Sequence, residues 1–165
     1  MKQLIHGALA AVSVMGLLSG ITNASPVYTN FVTFNGPGDN AGGTTVNGVS
    51  NNGAIVGFSS NANQTVLTNF VRNTNGTFTP LNINNDPLAN ANGVNSNGTV
   101  VGTTNGQGFS LSNGVVTTLP PALPGSTASE VAFGINNGGT IVGQFVSNAT
   151  DTAPGFVIRT ASSPS

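Results

Sequence analysis

The sequence predicts an all-β protein built from three tandem four-stranded repeats. A ten-residue motif with fixed glycine spacing occurs three times, starting at Gly48, Gly93 and Gly134, so the copies begin 45 and then 41 residues apart. Repeats of this period are typical of modular architectures in which each unit packs on its neighbours. No segment shows the 3.6-residue apolar period of a helix over a helix-length window.

Each copy of the motif has the pattern of a β-hairpin. In the first copy, Val49 precedes an Asn-rich turn ending at Gly53, and the β-branched pair Ile55-Val56 follows. Asn and Gly tolerate the positive φ angles of tight hairpin turns, and β-branched pairs favour strands. The motif ends at Gly57, Gly102 and Gly143. We expect a side chain at these last positions to crowd a neighbouring strand or to require positive φ.

A second hairpin follows the first in each of the first two repeats. Phe70–Arg72 leads through an Asn-Gly turn to Phe78–Leu81, and Phe109–Leu111 leads through another to Val115–Leu119. Both segments have the β-branched and aromatic composition of strands. We therefore predict four strands in each repeat, and we place the three repeat-equivalent phenylalanines, the third being Phe156, in the core.

The third repeat lacks a last strand after Phe156–Arg159. Residues 28–34 have the matching pattern ahead of the first hairpin, so we predict propeller-like blades in which this N-terminal strand closes the last repeat into a ring. Closure would remove exposed sheet edges. An open stack with two half-repeats is the alternative, and a β-trefoil or a β-prism-like closed fold also accommodates three copies of four strands.

The repeat resembles the extracellular HAF-repeat family. The resemblance rests on the glycine-spaced motif, a Phe-containing strand, an Asn-Gly turn and a Thr-rich strand ending in Leu, and it covers nearly all of the chain after the leader. It implies β-propeller-like repeats but carries over no functional residue. Of the family's His-Ala-Phe triplet only the phenylalanine is present, at Phe70, Phe109 and Phe156.

The N-terminus has the pattern of a secretory signal peptide. A single positive charge at Lys2 precedes an apolar run from Ala8 to Ile21, and small residues lead to Ala24. A membrane span needs about 20 apolar residues, and this run is shorter. We predict a signal peptide at 1–24, cleaved near Ala24, and a single all-β repeat domain at 25–165. An uncleaved anchor is the alternative.

Composition excludes several classes of function. After residue 24 the chain has no Lys, His, Cys or Trp, and its charged side chains are Arg72, Arg159, Asp39, Asp86, Asp151 and Glu130. A basic surface for nucleic acid or anionic lipid is therefore not available. Thiol chemistry and sites for transition metals, which need His or Cys, are excluded as well.

We assign no catalytic or metal-ligating residue and no cofactor. Catalysis by a nucleophile and a base usually needs His, Cys or Lys, and a calcium site usually needs several clustered carboxylates. Asp39 and Asp86 lie in equivalent loops, where aspartates usually hydrogen-bond their own backbone. The protein is therefore expected not to be an enzyme.

Four residues are candidate binding residues. Phe58 and Phe145 each come shortly after the last glycine of a hairpin, and we interpret them as equivalent aromatic platforms on which a sugar could stack. Arg72 and Arg159 follow equivalent phenylalanine strands and could share an outward face. In each case a structural role is the alternative.

The sequence thus favours a secreted, non-enzymatic structural or interaction protein of the cell exterior, acting in a matrix, in adhesion or in self-assembly. Its surface is nearly neutral and rich in Asn, Thr and Gly, which gives little electrostatic repulsion between copies. The expected partners are the protein itself or other matrix or surface components. The alternative function is a small module that binds neutral carbohydrate. The expected location is extracellular, or the outer surface or periplasm of a bacterium.

Overall fold

The protein folds into eleven strands in three antiparallel sheets, with no helix among the residues that the structure describes. The structure is a computed structural model, and it describes residues 31–39, 41–122, 129–146 and 152–159. The strands are β1 (Ala41–Val49), β2 (Ile55–Asn61), β3 (Leu67–Arg72), β4 (Phe78–Pro80), β5 (Asn90–Val94), β6 (Val100–Thr104), β7 (Gln107–Ser112), β8 (Val115–Thr118), β9 (Ser129–Ile135), β10 (Ile141–Val146) and β11 (Gly155–Ile158). The prediction of an all-β repeat fold is confirmed.

Each sheet corresponds to one repeat, and its strands pair in the order in which they occur along the chain. The first sheet contains β1 to β4, the second β5 to β8, and the third β9 to β11. The first hairpin of each repeat turns at a glycine with positive φ: Gly53, Gly98 and Gly139. Because only glycine adopts such angles at no steric cost, these residues determine where each hairpin reverses.

The last glycine of each motif faces a neighbouring strand's backbone. A Cβ atom at Gly57, Gly102 or Gly143 would collide with a carbonyl oxygen of the first strand of the same sheet. The three oxygens belong to Thr45, Asn90 and Val131. The expected crowding is thus confirmed, whereas none of these glycines has a positive φ.

Two hydrophobic cores lie between successive sheets. The first joins Val56 of β2 to Val94 of β5 and Phe109 of β7, all of them buried. The second joins Val101 of β6 to Ile141 of β10. Val100 and Val101 belong to different cores, because successive side chains of a strand point to opposite faces. The second sheet is therefore covered on both faces.

The first strands of the three sheets follow one another through close glycine contacts. A Cβ atom at Gly48 would lie 3.2 Å from the Cα atom of Gly93, and one at Gly93 would lie 2.9 Å from the Cα atom of Gly134. Every first strand also carries a bulge beside this glycine, where its register against the second strand shifts. The repeats therefore share one kind of joint.

The ring closure expected from the sequence is unconfirmed. Residues 31–34 form no strand, and within the described residues β11 pairs with β10 alone. Phe34 instead contacts the first sheet, where its ring centroid is 6.5 Å from that of Phe70 and 5.9 Å from that of Phe78. The other residues of the expected closing strand, 28–30, lie outside the described residues.

The expected leader, residues 1–24, also lies outside the described residues, so its cleavage stays a prediction. In the described ranges no helix has the length and apolar character needed to cross a membrane.

Candidate interaction surfaces

Each sheet has two faces that differ in what they contact. We call the face toward the preceding sheet the leading face and the face toward the following sheet the trailing face. In the second sheet, Val100 and Phe109 lie on the leading face and Val101 lies on the trailing face. The leading face of the first sheet and the trailing face of the third have no neighbouring sheet among the described residues. These two faces are the ends of the stack.

The leading face of the first sheet exposes valines at positions whose equivalents in the other sheets are buried or partly buried. Val46 is 50% exposed, whereas the equivalent residues Ala91 and Ala132 are fully buried. Val49 is 67% exposed, whereas its equivalent Val94 is 4% exposed. The repeat thus places apolar side chains at this end as though another sheet covered them.

The trailing face of the third sheet shows the same pattern. Val142 is 45% exposed, whereas its equivalents Val56 and Val101 are fully buried between sheets. Its cross-strand partner Val157 is 53% exposed, and Phe133 is 52% exposed. Contiguous exposed apolar side chains of this kind mark interaction sites on soluble proteins.

An asparagine at the bulge of each of the first two sheets binds the next sheet. The Asn47 side chain donates a hydrogen bond to the carbonyl oxygen of Ala91 at 2.9 Å, and Asn92 donates to that of Ala132 at 2.9 Å. A bulge aims one extra side chain out of the regular alternation, which explains why this position reaches across. The equivalent residue in the third sheet is the exposed Phe133.

The Asn-rich hairpin turns form a second set of bonds between repeats. Asn52 donates to the carbonyl oxygen of Ser96 at 3.3 Å. The Ser96 amide in turn donates to the Asn137 side chain at 2.9 Å, and Asn95 donates to the carbonyl oxygen of Asn136 at 3.2 Å. Many of the turn asparagines are therefore already engaged in holding the repeats together.

Arg72 and Arg159 lie in different settings. Arg72 is partly buried on the leading face of the first sheet, where its guanidinium carbon is 4.7 Å from the centre of the Phe34 ring. Its Nε is buried and has no hydrogen-bond partner among the described residues. Arg159 follows β11 and is exposed. The two arginines are not at equivalent positions, since Arg72 comes two residues after Phe70 and Arg159 comes three residues after Phe156.

Phe58 and Phe145 are not equivalent aromatic platforms. Phe58 directly follows Gly57, whereas Phe145 comes two residues after Gly143, so strand alternation places their side chains on opposite faces of their sheets. Phe145 is 7% exposed and is a core residue, which corrects the expectation of an exposed stacking surface there. Phe58 is only partly buried. Phe70 and Phe109 are fully buried, as expected, and Phe156 packs against the second core.

The described carboxylates hold loops. Asp39 accepts hydrogen bonds from the Gly43 amide at 3.2 Å and the Thr44 hydroxyl at 2.9 Å. Glu130, which is 4% exposed, accepts one from the Ala122 amide. In the part of the chain that the structure describes, no three His, Cys, Asp or Glu residues lie together as a metal site would require.

Asp86 holds the connection from the first sheet to the second. Its carboxylate accepts hydrogen bonds from the amides of Leu88 at 3.0 Å and Asn105 at 2.8 Å, and from the Thr104 hydroxyl at 3.0 Å. Burial opposes ionisation of Asp86, but these three hydrogen bonds outweigh that effect and hold its pKa below the usual value. The aspartate is thus a loop anchor, as its turn sequence predicts.

A groove of about 260 Å³ lies between the first and second sheets. Its polar lining includes Thr79, Asn82 and Asn113, and its apolar lining includes Pro80 and Leu111. Hydroxyl, amide and apolar groups together suit a neutral, partly apolar ligand.

Sequence patterns missed the residues that make the joints, above all Asn47, Asn92 and the buried Asn69. The bulge position is the residue before the first glycine of each motif, so the sequence shows where it lies but not toward which sheet its side chain points.

Comparison of the chain with protein-family models, with curated proteins and with solved structures finds no significant match.

Proposed function

We propose that the protein is a secreted, non-enzymatic structural or interaction protein of the cell exterior that binds its partners through the two ends of its sheet stack. The observation that carries this proposal is the exposure of Val46 and Val142 at positions whose equivalents in the other sheets are fully buried, with Val49 and Val157 exposed on the same two faces. Exposed apolar faces this regular are poorly suited to an isolated chain and well suited to a partner with a matching apolar surface.

The charge of the protein supports the same function. The whole sequence contains three Lys or Arg and four Asp or Glu residues, so few charges oppose contact between copies or with other neutral polymers. Interaction through this surface would depend on apolar contact and on amide hydrogen bonds, and hence only weakly on salt.

The propeller-like arrangement, with the resemblance to HAF repeats, is part of this proposal. Each sheet is a meander in chain order, and β1, β5 and β9 succeed one another through Gly48, Gly93 and Gly134. Both features are typical of blades arranged with their first strands innermost. A trefoil or a prism-like fold remains the alternative for the complete ring.

A sedimentation experiment tests the proposed function. The exported protein is mixed with isolated envelopes and extracellular material of its own cells, and the bound fraction is measured. We expect Val46→Asp or Val142→Asp to lower binding at least several-fold. Val115→Asp is the matched control, because Val115 is 64% exposed but lies in the outermost strand of the second sheet. A wild-type protein that stays entirely in solution would contradict the proposal.

Carbohydrate binding is the second candidate, and the groove beside Thr79, Asn82 and Asn113 is the observation that favours it. Neutral sugars are recognised by amides and hydroxyls together with apolar surface. Binding to an array of neutral glycans would be measured for the wild type and for Asn82→Ala. Loss of binding in this variant, with Val142→Asp unaffected, would favour the groove over the end faces.

A further inference from the structure

We propose that copies of this chain associate head to tail, with the trailing face of the third sheet of one copy covered by the leading face of the first sheet of the next. This inference deepens the proposed function by naming the partner as a second copy of the chain. It starts from the exposed valines at the two ends and from the joints inside the protein, which already show how such faces pack.

The internal joints provide the template. Between the first and second sheets, Val56 on a trailing face packs in one buried core with Ala91 and Val94 on a leading face. The end faces carry the equivalents of both sides, since Val142 corresponds to Val56, and Val46 and Val49 correspond to Ala91 and Val94. Each end face is therefore the natural complement of the other and not of itself.

The backbone at the two ends also matches the template. The internal joints bring a glycine of one first strand against the next first strand, as Gly48 meets the backbone of Asn92 and Gly93. At the ends, a Cβ atom at Gly134 would meet, among the described residues, only Val142, at an ordinary contact of 3.5 Å. A second copy's first strand can approach Gly134 as β9 approaches Gly93.

The outer joint would differ from the inner joints at Val46, whose equivalents are Ala91 and Ala132, and at the place of the bridging asparagine. Phe133 occupies the place where Asn47 and Asn92 donate hydrogen bonds to the next sheet. A phenylalanine cannot donate, so the outer joint is more apolar and lacks that bond, and burial of this half-exposed ring would supply part of the driving force. We therefore expect association that is weaker and more reversible than the internal joints.

Head-to-tail contact is heterologous, so its geometry decides between a closed ring and an open filament. A ring and a filament respond in the same way to variants that block one face, because each contact uses two different faces. Blocking one face of every copy stops growth, yet copies blocked at opposite faces can still form a pair. Contact between two identical faces cannot behave in this way.

The test uses the exported mature chain in size-exclusion chromatography with light scattering, from about 1 µM to about 500 µM, a range that covers weak association. We expect the wild type to form oligomers whose masses correspond to two or more mature chains. Val46→Asp and Val142→Asp should each be monomeric alone and should form a dimer when mixed, whereas Val115→Asp should behave as the wild type.

Crosslinking gives a second readout that does not depend on introduced charge. The sequence contains no cysteine, so Val46→Cys and Val142→Cys each introduce a single thiol. Under mild oxidation the mixture should yield the mixed disulfide dimer at least several-fold faster than either variant alone yields its own.

Three results would overturn the inference. They are a wild type that is monomeric throughout the concentration range, a mixture of the two Asp variants that stays monomeric, and symmetric dimers of Val142→Cys as the main crosslinked product. A monomeric protein that still sediments with extracellular material would leave the proposed function standing and remove only the second copy as its partner.

Discussion

Gly93 and Gly134 meet so closely that a Cβ atom on Gly93 would lie 2.9 Å from the Cα atom of Gly134 and 3.0 Å from the carbonyl oxygen of Phe133. Backbone atoms cannot move aside as a flexible side chain can, so Gly93→Ala should lower the free energy of unfolding by about 1–3 kcal/mol. Urea denaturation measures the change.

Gly134→Ala is the matched control for that substitution, since the nearest atom to its added methyl group is Val142 Cγ2 at 3.5 Å, an ordinary contact. It should cost less than about 1 kcal/mol. Equal destabilisation by both variants would show that the close approach at Gly93 is not what determines the stability of this joint.

Asn69 joins the first sheet to the start of the second. It is 4% exposed, donates to the carbonyl oxygen of Ala89 at 2.7 Å and accepts from the Ala91 amide at 2.8 Å. Asn69→Leu would leave two buried backbone groups unpaired and should cost about 2–4 kcal/mol by thermal or urea unfolding. Asn63→Leu, at an exposed turn position, should change stability by less than about 0.5 kcal/mol.

Phe34 packs on part of the leading face of the first sheet, against Phe70, Phe78 and the Arg72 guanidinium. Because it is partly buried, Phe34→Ala should cost about 2 kcal/mol, less than truncation of a fully buried phenylalanine. Phe34→Leu should recover most of that loss, since Leu81 and Leu119 hold the equivalent positions ahead of the other sheets. Equal melting temperatures for both variants and the wild type would refute the packing role.

Asp86 makes stability depend on pH in a defined direction. A carboxyl whose pKa is lowered on folding stabilises the protein above its unfolded pKa, near 3.9, and loses that contribution as the pH falls through the folded value. Asp86→Asn should therefore be less stable than the wild type at pH 7, by about 1 kcal/mol, and the gap should narrow as the pH falls from the unfolded pKa through the lower folded one. A gap that is constant from pH 7 to pH 2.5 would contradict the ionised anchor.

The expected leader predicts the mass of the exported protein. Intact-mass measurement should find a chain that starts at or near Ser25, because small residues at positions 22 and 24 suit cleavage after Ala24. An exported chain that still carries Met1 would favour the uncleaved anchor.

The repeat pattern predicted most of the fold because its signals are local. Turn glycines such as Gly53 and Gly98 and β-branched pairs such as Val100-Val101 determine hairpins within a few residues. Ring closure is different, since it depends on how sheets are oriented over the whole chain. The pairing of β11 with β10 alone, within the described residues, was therefore beyond the reach of the motif.

The candidate surfaces could be predicted only in part. Alternation along strands places Phe109 in a core, but one residue of offset separates Phe145 from the position held by Phe58, and this reverses its direction. The joints depend on bulges at Asn47 and Asn92, and a bulge breaks the alternation on which such predictions rest. The exposure of Val142 indicates an interaction surface only when it is compared with the full burial of the equivalent residues Val56 and Val101.

The asparagine at the bulge of each of the first two sheets gives the stack a polarity. Asn47 and Asn92 both reach forward along the chain, to Ala91 and Ala132, so both internal joints share one hydrogen bond that runs in the same direction. The number of sheets in the stack can then change without a change in the contacts at each joint. Duplication or loss of the middle repeat in the gene would change the number of modules while leaving each junction intact, and Phe133 would still mark the last of them.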